Sequence, residues 1–209
     1  MTSLTVDIVS DLVCPWCFIG VERLLTAIRL FDIPVEFTLR FHPFLLDAAV
    51  PEAGLPVAER LQSLFGTEPD PHFDRVNAAA HESGLALDAR RQPNTYPTVK
   101  AHTLIRLASA HGAQLRVVES LFFVHFVEAG NIASNATLVR IGAEAGLDPV
   151  DVAAAIGNER ALDETRAHAV RLVDSGVTGV PFFLLGSKLA VSGAQTVPTF
   201  MQALRQVVE

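Results

Sequence analysis

Hydrophobic and polar positions follow two strand-like patterns and one helical pattern near the start of the chain. Residues 4–13 and 33–46 alternate apolar and polar side chains and are rich in β-branched types, which predicts two strands. Between them, apolar residues recur at helical spacing over residues 18–31, which predicts a helix. A crossover of this length favours a βαβ unit with parallel strands.

The next part of the chain, residues 51–175, has helical periodicity almost throughout, and Asn135 and Asp148 each precede a helical segment as predicted N-caps. After Gly176 the pattern predicts two short strands about a turn, followed by a final helix. The sequence therefore predicts an α/β fold of the order β-α-β … β-β-α. Residues 1–50 and 176–209 form its core domain, and residues 51–175 form an inserted α-helical domain.

Composition and charge narrow the classes of partner. The 209 residues are 50% hydrophobic, so the chain can bury a full core, and the net charge of -7 argues against nucleic acid. No run of about 18 apolar residues exists, so no membrane partner is expected. The first residues lack the pattern of a signal peptide, which predicts a cytoplasmic protein.

The only two cysteines, Cys14 and Cys17, stand at the predicted junction between the first strand and the first helix. Unpaired N–H groups and the positive end of the helix dipole favour a thiolate on the first cysteine. Cys14 is therefore the candidate nucleophile, and Cys17, one turn later, can resolve a mixed disulfide.

A metal site and a pair of inert core thiols are two other interpretations of the cysteines. A structural zinc site needs four ligands, and the sequence has neither a third cysteine nor a closely spaced histidine pair, so no metal is predicted. Two inert core thiols would not explain Pro15 and Trp16 between the cysteines at such a junction.

A second local signal is Pro181, which follows Val180 at the start of a predicted strand. Because proline cannot donate to a sheet ladder, it should lie at an edge, at a bulge or after a cis bond. An ordinary proline at a strand start remains an alternative.

Several stretches together resemble one family. They are "SDLVCPWCFIG", "RFHPFLL", "NTYPTVKAH", "LFFVHFVEAGNI", "AEAGLDP" and "GVTGVPFFLLGSKLAVSGAQ", and they span nearly the whole chain. The chain resembles the thioredoxin superfamily, within it the DsbA-like group, and more closely the FrnE-like branch of dithiol–disulfide isomerases. The resemblance implies a thioredoxin fold with an inserted helical domain.

The resemblance also implies roles for individual residues. Cys14 would be the exposed nucleophile, Cys17 the resolving thiol, and Pro181 a cis-proline facing them. Val180 would offer backbone groups to the substrate, which Pro15 and an exposed Trp16 would also meet.

Two further residues, Asn94 and His102, match a region that lies near the active-site groove in this branch. For His102 this implies a contact with substrate or an influence on the thiolate; a histidine with one local hydrogen bond is the alternative.

The implied activity is that of a thiol–disulfide oxidoreductase acting on a disulfide-containing protein or a small thiol. It needs no metal or organic cofactor, glutathione could serve as thiol co-substrate, and a homodimer could form through the helical region. Related 2-hydroxychromene-2-carboxylate isomerases and kappa-class glutathione transferases carry serine in place of Cys14. A glutathione-dependent isomerase or transferase acting on a small aromatic or polyketide-like molecule is therefore an alternative, as is a non-catalytic chaperone or binding module.

Overall fold

The fold is a four-stranded sheet flanked by helices, as seen in a computed structural model that describes residues 2–66 and 68–208. The main sheet consists of β1 (Thr2–Ser10), β2 (Val35–Pro43), β5 (Phe182–Leu185) and β6 (Leu189–Ser192). Two short strands, β3 (Leu55–Pro56) and β4 (Asn94–Thr95), pair separately. The helices are α1 (Pro15–Arg29), α2 (Val57–Phe65), α3 (Asp70–Glu82), α4 (Val99–Ser109), α5 (Gln114–Phe126), α6 (Asn135–Glu144), α7 (Pro149–Ile156), α8 (Glu159–Asp174) and α9 (Val197–Val208).

The sheet order is β2-β1-β5-β6. Strands β1 and β2 are parallel, whereas β5 runs antiparallel to β1 and to β6. Helix α1 makes the crossover between the parallel strands, as the βαβ pattern predicts. The β-α-β … β-β-α order and the thioredoxin fold are confirmed.

The helices α2 to α8 lie between the two halves of the sheet in the sequence. Helices α4, α5 and α8 contact β2, while α1 and α9 contact each other. One large cluster of buried side chains includes Ile8 of β1, Leu24 of α1, Phe122 of α5 and Phe200 of α9. The division into a core domain and an inserted domain stays a prediction.

Strand β1 ends at Ser10, three residues earlier than the sequence pattern predicts. The reason is Asp11, whose carboxylate accepts hydrogen bonds from the backbone N–H groups of Leu12 and Leu46, each at 2.8 Å. These bonds turn the chain out of the strand and bring Cys14 to the start of α1. None of the described helices is long and apolar enough to cross a membrane.

Candidate active site

Cys14 is the N-cap residue of α1, with an extended backbone (φ -92°, ψ 110°), and Pro15 opens the helix. The Cys14 carbonyl accepts the first helical hydrogen bond, from the N–H of Cys17 at 3.0 Å. No acidic residue lies in the first turn of the helix itself. Cys14 therefore stands at the positive end of the dipole of a 15-residue helix, where negative charge is stabilised.

Cys17 lies one turn further along and is completely buried, with 0% of its surface exposed. Burial, the neighbouring Cys14 and the negative charge of Asp11 raise the pKa of the Cys17 thiol well above its ordinary value. One contact acts in the opposite direction, because the backbone N–H of Asp11 donates to Cys17 Sγ at 3.5 Å. Both cysteines are free thiols. The pair thus consists of one thiol at a helix terminus and one thiol held protonated in the interior.

The exposed nucleophile implied by the family resemblance needs a correction. Only 7% of the surface of Cys14 is exposed, and its side chain lies in the wall of a cavity of about 480 Å³. Pro15, Trp16 and Val180 line the same cavity. Trp16 is half-buried and packs against the core rather than standing free in solvent.

The peptide bond between Val180 and Pro181 is cis, which agrees with one of the outcomes expected for this proline. The Pro181 carbonyl accepts a hydrogen bond from the N–H of Gly193 at 2.8 Å, and β5 begins at the next residue. Gly20 of α1 provides the space for this segment, since a Cβ atom at Gly20 would come within 2.9 Å of Pro181 Cγ. Helix α1 therefore holds both the cysteines and the proline segment.

His102 of α4 does not line the cavity and is 2% exposed, so a direct contact with substrate does not fit its position. Its Nε2 atom lies 3.4 Å from Oδ1 of Asp11. The two atoms are within ion-pair distance, but the geometry is not that of a hydrogen bond, and Nε2 has no hydrogen-bond partner among the described residues. Because Asp11 also contacts Cys17, the position of His102 is compatible with an indirect effect on the cysteines through Asp11.

Asn94 lies in β4, beside the cavity but not in its wall. Its side-chain amide donates to the hydroxyl of Tyr96 at 3.5 Å, and its backbone N–H donates to Gln92. Gln92 and Tyr96 do line the cavity. A substrate contact by Asn94 stays a prediction.

Sequence reasoning missed Asp11 and His125 as members of the site. Asp11 is the one charged residue between Asp7 and Glu22, and this isolated charge beside the cysteines is the signal that could have found it. His125 of α5 lines the cavity, and its Nδ1 atom lies 2.9 Å from the side-chain amide of Gln92. Burial lowers the pKa of His125 to about 4, so the imidazole is neutral near pH 7.

The described residues contain no group of three or more histidine, cysteine, aspartate or glutamate side chains that could hold a metal ion.

The sheet order β2-β1-β5-β6, the crossover helix α1 and the two cysteines at its start together define a thioredoxin-like protein. Residues 5–205 match the model of the DSBA-like thioredoxin domain, and the chain belongs to that family. A comparison with curated proteins gives no match.

Solved structures agree with this assignment. A probable DsbA oxidoreductase from Streptomyces coelicolor is 31% identical, with a TM-score of 0.88 over 98% of this chain and 89% of that one. The cytosolic disulfide reductase DsbM from Pseudomonas aeruginosa, in a structure with GSH, is 20% identical, with a TM-score of 0.68 over 97% and 98% of the two chains. A 2-hydroxychromene-2-carboxylate isomerase is 16% identical, with a TM-score of 0.73 over 97% and 95%. The last two likenesses show the fold alone.

Proposed function

We propose that the protein is a thiol–disulfide oxidoreductase in which Cys14 is the nucleophile and Cys17 the resolving thiol. The observation that carries this proposal is the asymmetry of the pair. Cys14 caps a helix and lies in a cavity wall, whereas Cys17 is fully buried and its pKa is raised. A substrate can therefore reach one sulfur and not the other.

The reaction follows from this geometry. The Cys14 thiolate attacks one sulfur of a substrate disulfide, the substrate S–S bond breaks, and one substrate thiolate leaves. Cys17 then loses its proton and attacks the Cys14 sulfur, which releases the second substrate thiolate and forms the Cys14–Cys17 disulfide. The substrate gains two electrons and the protein dithiol loses two. With an oxidised protein and a dithiol substrate, the same steps run in reverse.

Asp11 is suited to influence the second step. It is buried beside Cys17, and its negative charge helps to keep that thiol protonated until Cys14 is consumed in the mixed disulfide. When Cys14 no longer carries charge, one of the causes that raise the pKa of Cys17 is removed. Resolution is thereby favoured after, and not before, attack on the substrate.

Glutathione is the thiol partner included in this proposal. Two molecules of glutathione would reduce the Cys14–Cys17 disulfide and leave as one molecule of glutathione disulfide, which balances the cycle. The structure of the similar protein DsbM with GSH is consistent with this partner. DsbM is cytosolic, which is consistent with a cytoplasmic location for this protein.

The test is the glutathione-dependent reduction of a small disulfide, hydroxyethyl disulfide, with the parent protein and the Cys14→Ser variant. The variant should lose nearly all acceleration, because serine supplies no thiolate. Its thermal midpoint should stay close to that of the parent, which shows that folding is not the cause. Parent-like activity of a folded Cys14→Ser protein would exclude Cys14 as the nucleophile.

A further inference from the structure

Helices α2 and α3 form part of the wall of the cavity that Cys14 lines. Five apolar side chains of these helices line it, namely Val57, Leu61 and Leu64 of α2 and Phe73 and Val76 of α3. Trp16, Tyr96, Phe126 and Val180 line it from the side of the cysteines. The volume of about 480 Å³ falls within the usual range for pockets that enclose one small organic ligand, roughly 300–1,000 Å³.

The position of Cys14 in this cavity restricts what can reach the nucleophile. Because Cys14 is 7% exposed and lies in the cavity wall, an attacking or attacked sulfur must enter the cavity. A disulfide within a polypeptide would bring flanking peptide groups against the apolar side chains of α2 and α3. Removing those groups from water without partners is costly. A small molecule with an apolar body has no such cost.

The cavity also offers a cation for a charged substituent. Arg60 and Asp47 both line it, but they neutralise each other in an ion pair of 2.6 Å. Arg75 lines the cavity from α3 and is solvent-exposed, and its side chain has no carboxylate within ion-pair distance in the described part of the chain. Among the described residues, its side chain makes one hydrogen bond, a long contact of 3.4 Å to Nδ1 of His72. The guanidinium is thus available to a carboxylate, the group that its planar donors fit best.

On the basis of the proposed function, we propose that the cavity selects small disulfides with an aromatic body and a carboxylate as the substrates of Cys14. The apolar walls bind the ring, Arg75 binds the carboxylate, and one substrate sulfur is placed against the Cys14 sulfur. The Cys14 thiolate breaks the substrate disulfide and one aromatic thiolate leaves. Cys17 then displaces the second one, so the protein dithiol itself supplies both electrons in a single turnover.

The experiment measures the rate at which the reduced protein reacts once with each of three disulfides. Dithiobis(nitrobenzoate) is aromatic and carries carboxylates, dithiodipyridine is aromatic without a carboxylate, and hydroxyethyl disulfide is small and polar. Each rate is divided by the rate of free glutathione with the same disulfide, which removes the intrinsic reactivity of the compound. The proposal predicts the largest ratio for dithiobis(nitrobenzoate) and the smallest for hydroxyethyl disulfide, with at least about a tenfold spread.

Three variants separate the contributions. Arg75→Gln should lower the ratio for dithiobis(nitrobenzoate) about threefold to tenfold, the effect of one charge-assisted hydrogen bond, and leave dithiodipyridine unchanged. Arg171→Gln, at an exposed position on α8, removes the same charge outside the cavity and should change neither ratio. Leu64→Trp adds volume at a half-exposed position of the cavity wall, where folding tolerates it, and should lower both aromatic ratios but not that of hydroxyethyl disulfide.

The outcomes distinguish failure of the selectivity from failure of the chemistry. If the protein reacts with none of the three faster than glutathione does, the proposed function itself is wrong. Equal ratios for all three disulfides would leave the oxidoreductase proposal standing and overturn the aromatic selectivity. Equal effects of Arg75→Gln and Arg171→Gln would overturn the carboxylate site.

Discussion

The buried His125 provides a prediction about stability that depends on pH. Its side chain is 1% exposed, contacts Phe126 with ring centroids 4.6 Å apart, and lies beside the amide of Gln92. Burial lowers its pKa from 6.5 to about 4. The unfolded chain therefore binds a proton at this residue between those two values, whereas the folded protein does not.

The magnitude follows from the two pKa values. Each tenfold change in proton affinity corresponds to about 1.4 kcal/mol, so a decrease from 6.5 to about 4 corresponds to roughly 3 kcal/mol of unfolding free energy. This stability is fully present above about pH 6.5, where both states hold a neutral imidazole. It is lost as the pH falls toward 4.

The assay is urea unfolding of the parent and of His125→Gln at about pH 7 and about pH 4.5. Glutamine cannot titrate, so on going from about pH 7 to about pH 4.5 the parent should lose about 2–3 kcal/mol more unfolding free energy than the variant. The carboxylates titrate in both proteins and cancel in the difference. His111→Gln, at an exposed position on the surface, is the control. It should lose as much unfolding free energy as the parent between the two pH values. Equal losses in the parent and His125→Gln would refute the assignment of a buried neutral imidazole.

Two further predictions concern the packing and the redox chemistry of the site. Gly20→Ala would place a Cβ atom 2.9 Å from Pro181 Cγ and 3.2 Å from Phe183 Cζ. Urea unfolding should therefore show a loss of about 1–3 kcal/mol in unfolding free energy, although alanine in place of glycine would by itself stabilise a helix by roughly 0.5–1 kcal/mol. A variant as stable as the parent would contradict this close approach. In buffers of varied ratio of reduced to oxidised glutathione, the protein should convert between dithiol and intramolecular disulfide in one reversible two-electron transition. Alkylation of the remaining free thiols measures the fraction of each form. Absence of any Cys14–Cys17 disulfide would contradict the resolving role of Cys17.

Local patterns were sufficient to predict the architecture around the cysteines. Alternation gave strands β1 and β2, helical spacing gave α1, and Pro15 indicated its first residue. The turn after β5 was equally readable, because Gly186 has a positive φ of 57°, which favours glycine. These features depend on residues close in sequence, and such residues determine turns, caps and helix starts.

Features that depend on distant contacts were not predictable in this way. Part of the wall of the Cys14 cavity comes from α2 and α3, which lie more than 40 residues further along the chain, and no sequence pattern near Cys14 indicates this. Asp11 acquires its role from Leu46 and His102, both remote in sequence. The predicted N-cap of α6 was also wrong, although it is a local feature. Ser134, the neighbour of Asn135, caps this helix, and its side chain accepts a hydrogen bond from the N–H of Thr137.

The central claim is that Cys14 attacks the substrate and Cys17 resolves the mixed disulfide, and the Cys17→Ser variant tests it most directly. With the resolving thiol removed, a disulfide substrate should stay attached to the protein, and mass spectrometry should find one substrate half on the peptide that contains Cys14. The parent protein under the same conditions should show no adduct and one intramolecular disulfide. Absence of the adduct on Cys14, or its release by Cys17→Ser as fast as by the parent, would contradict the account.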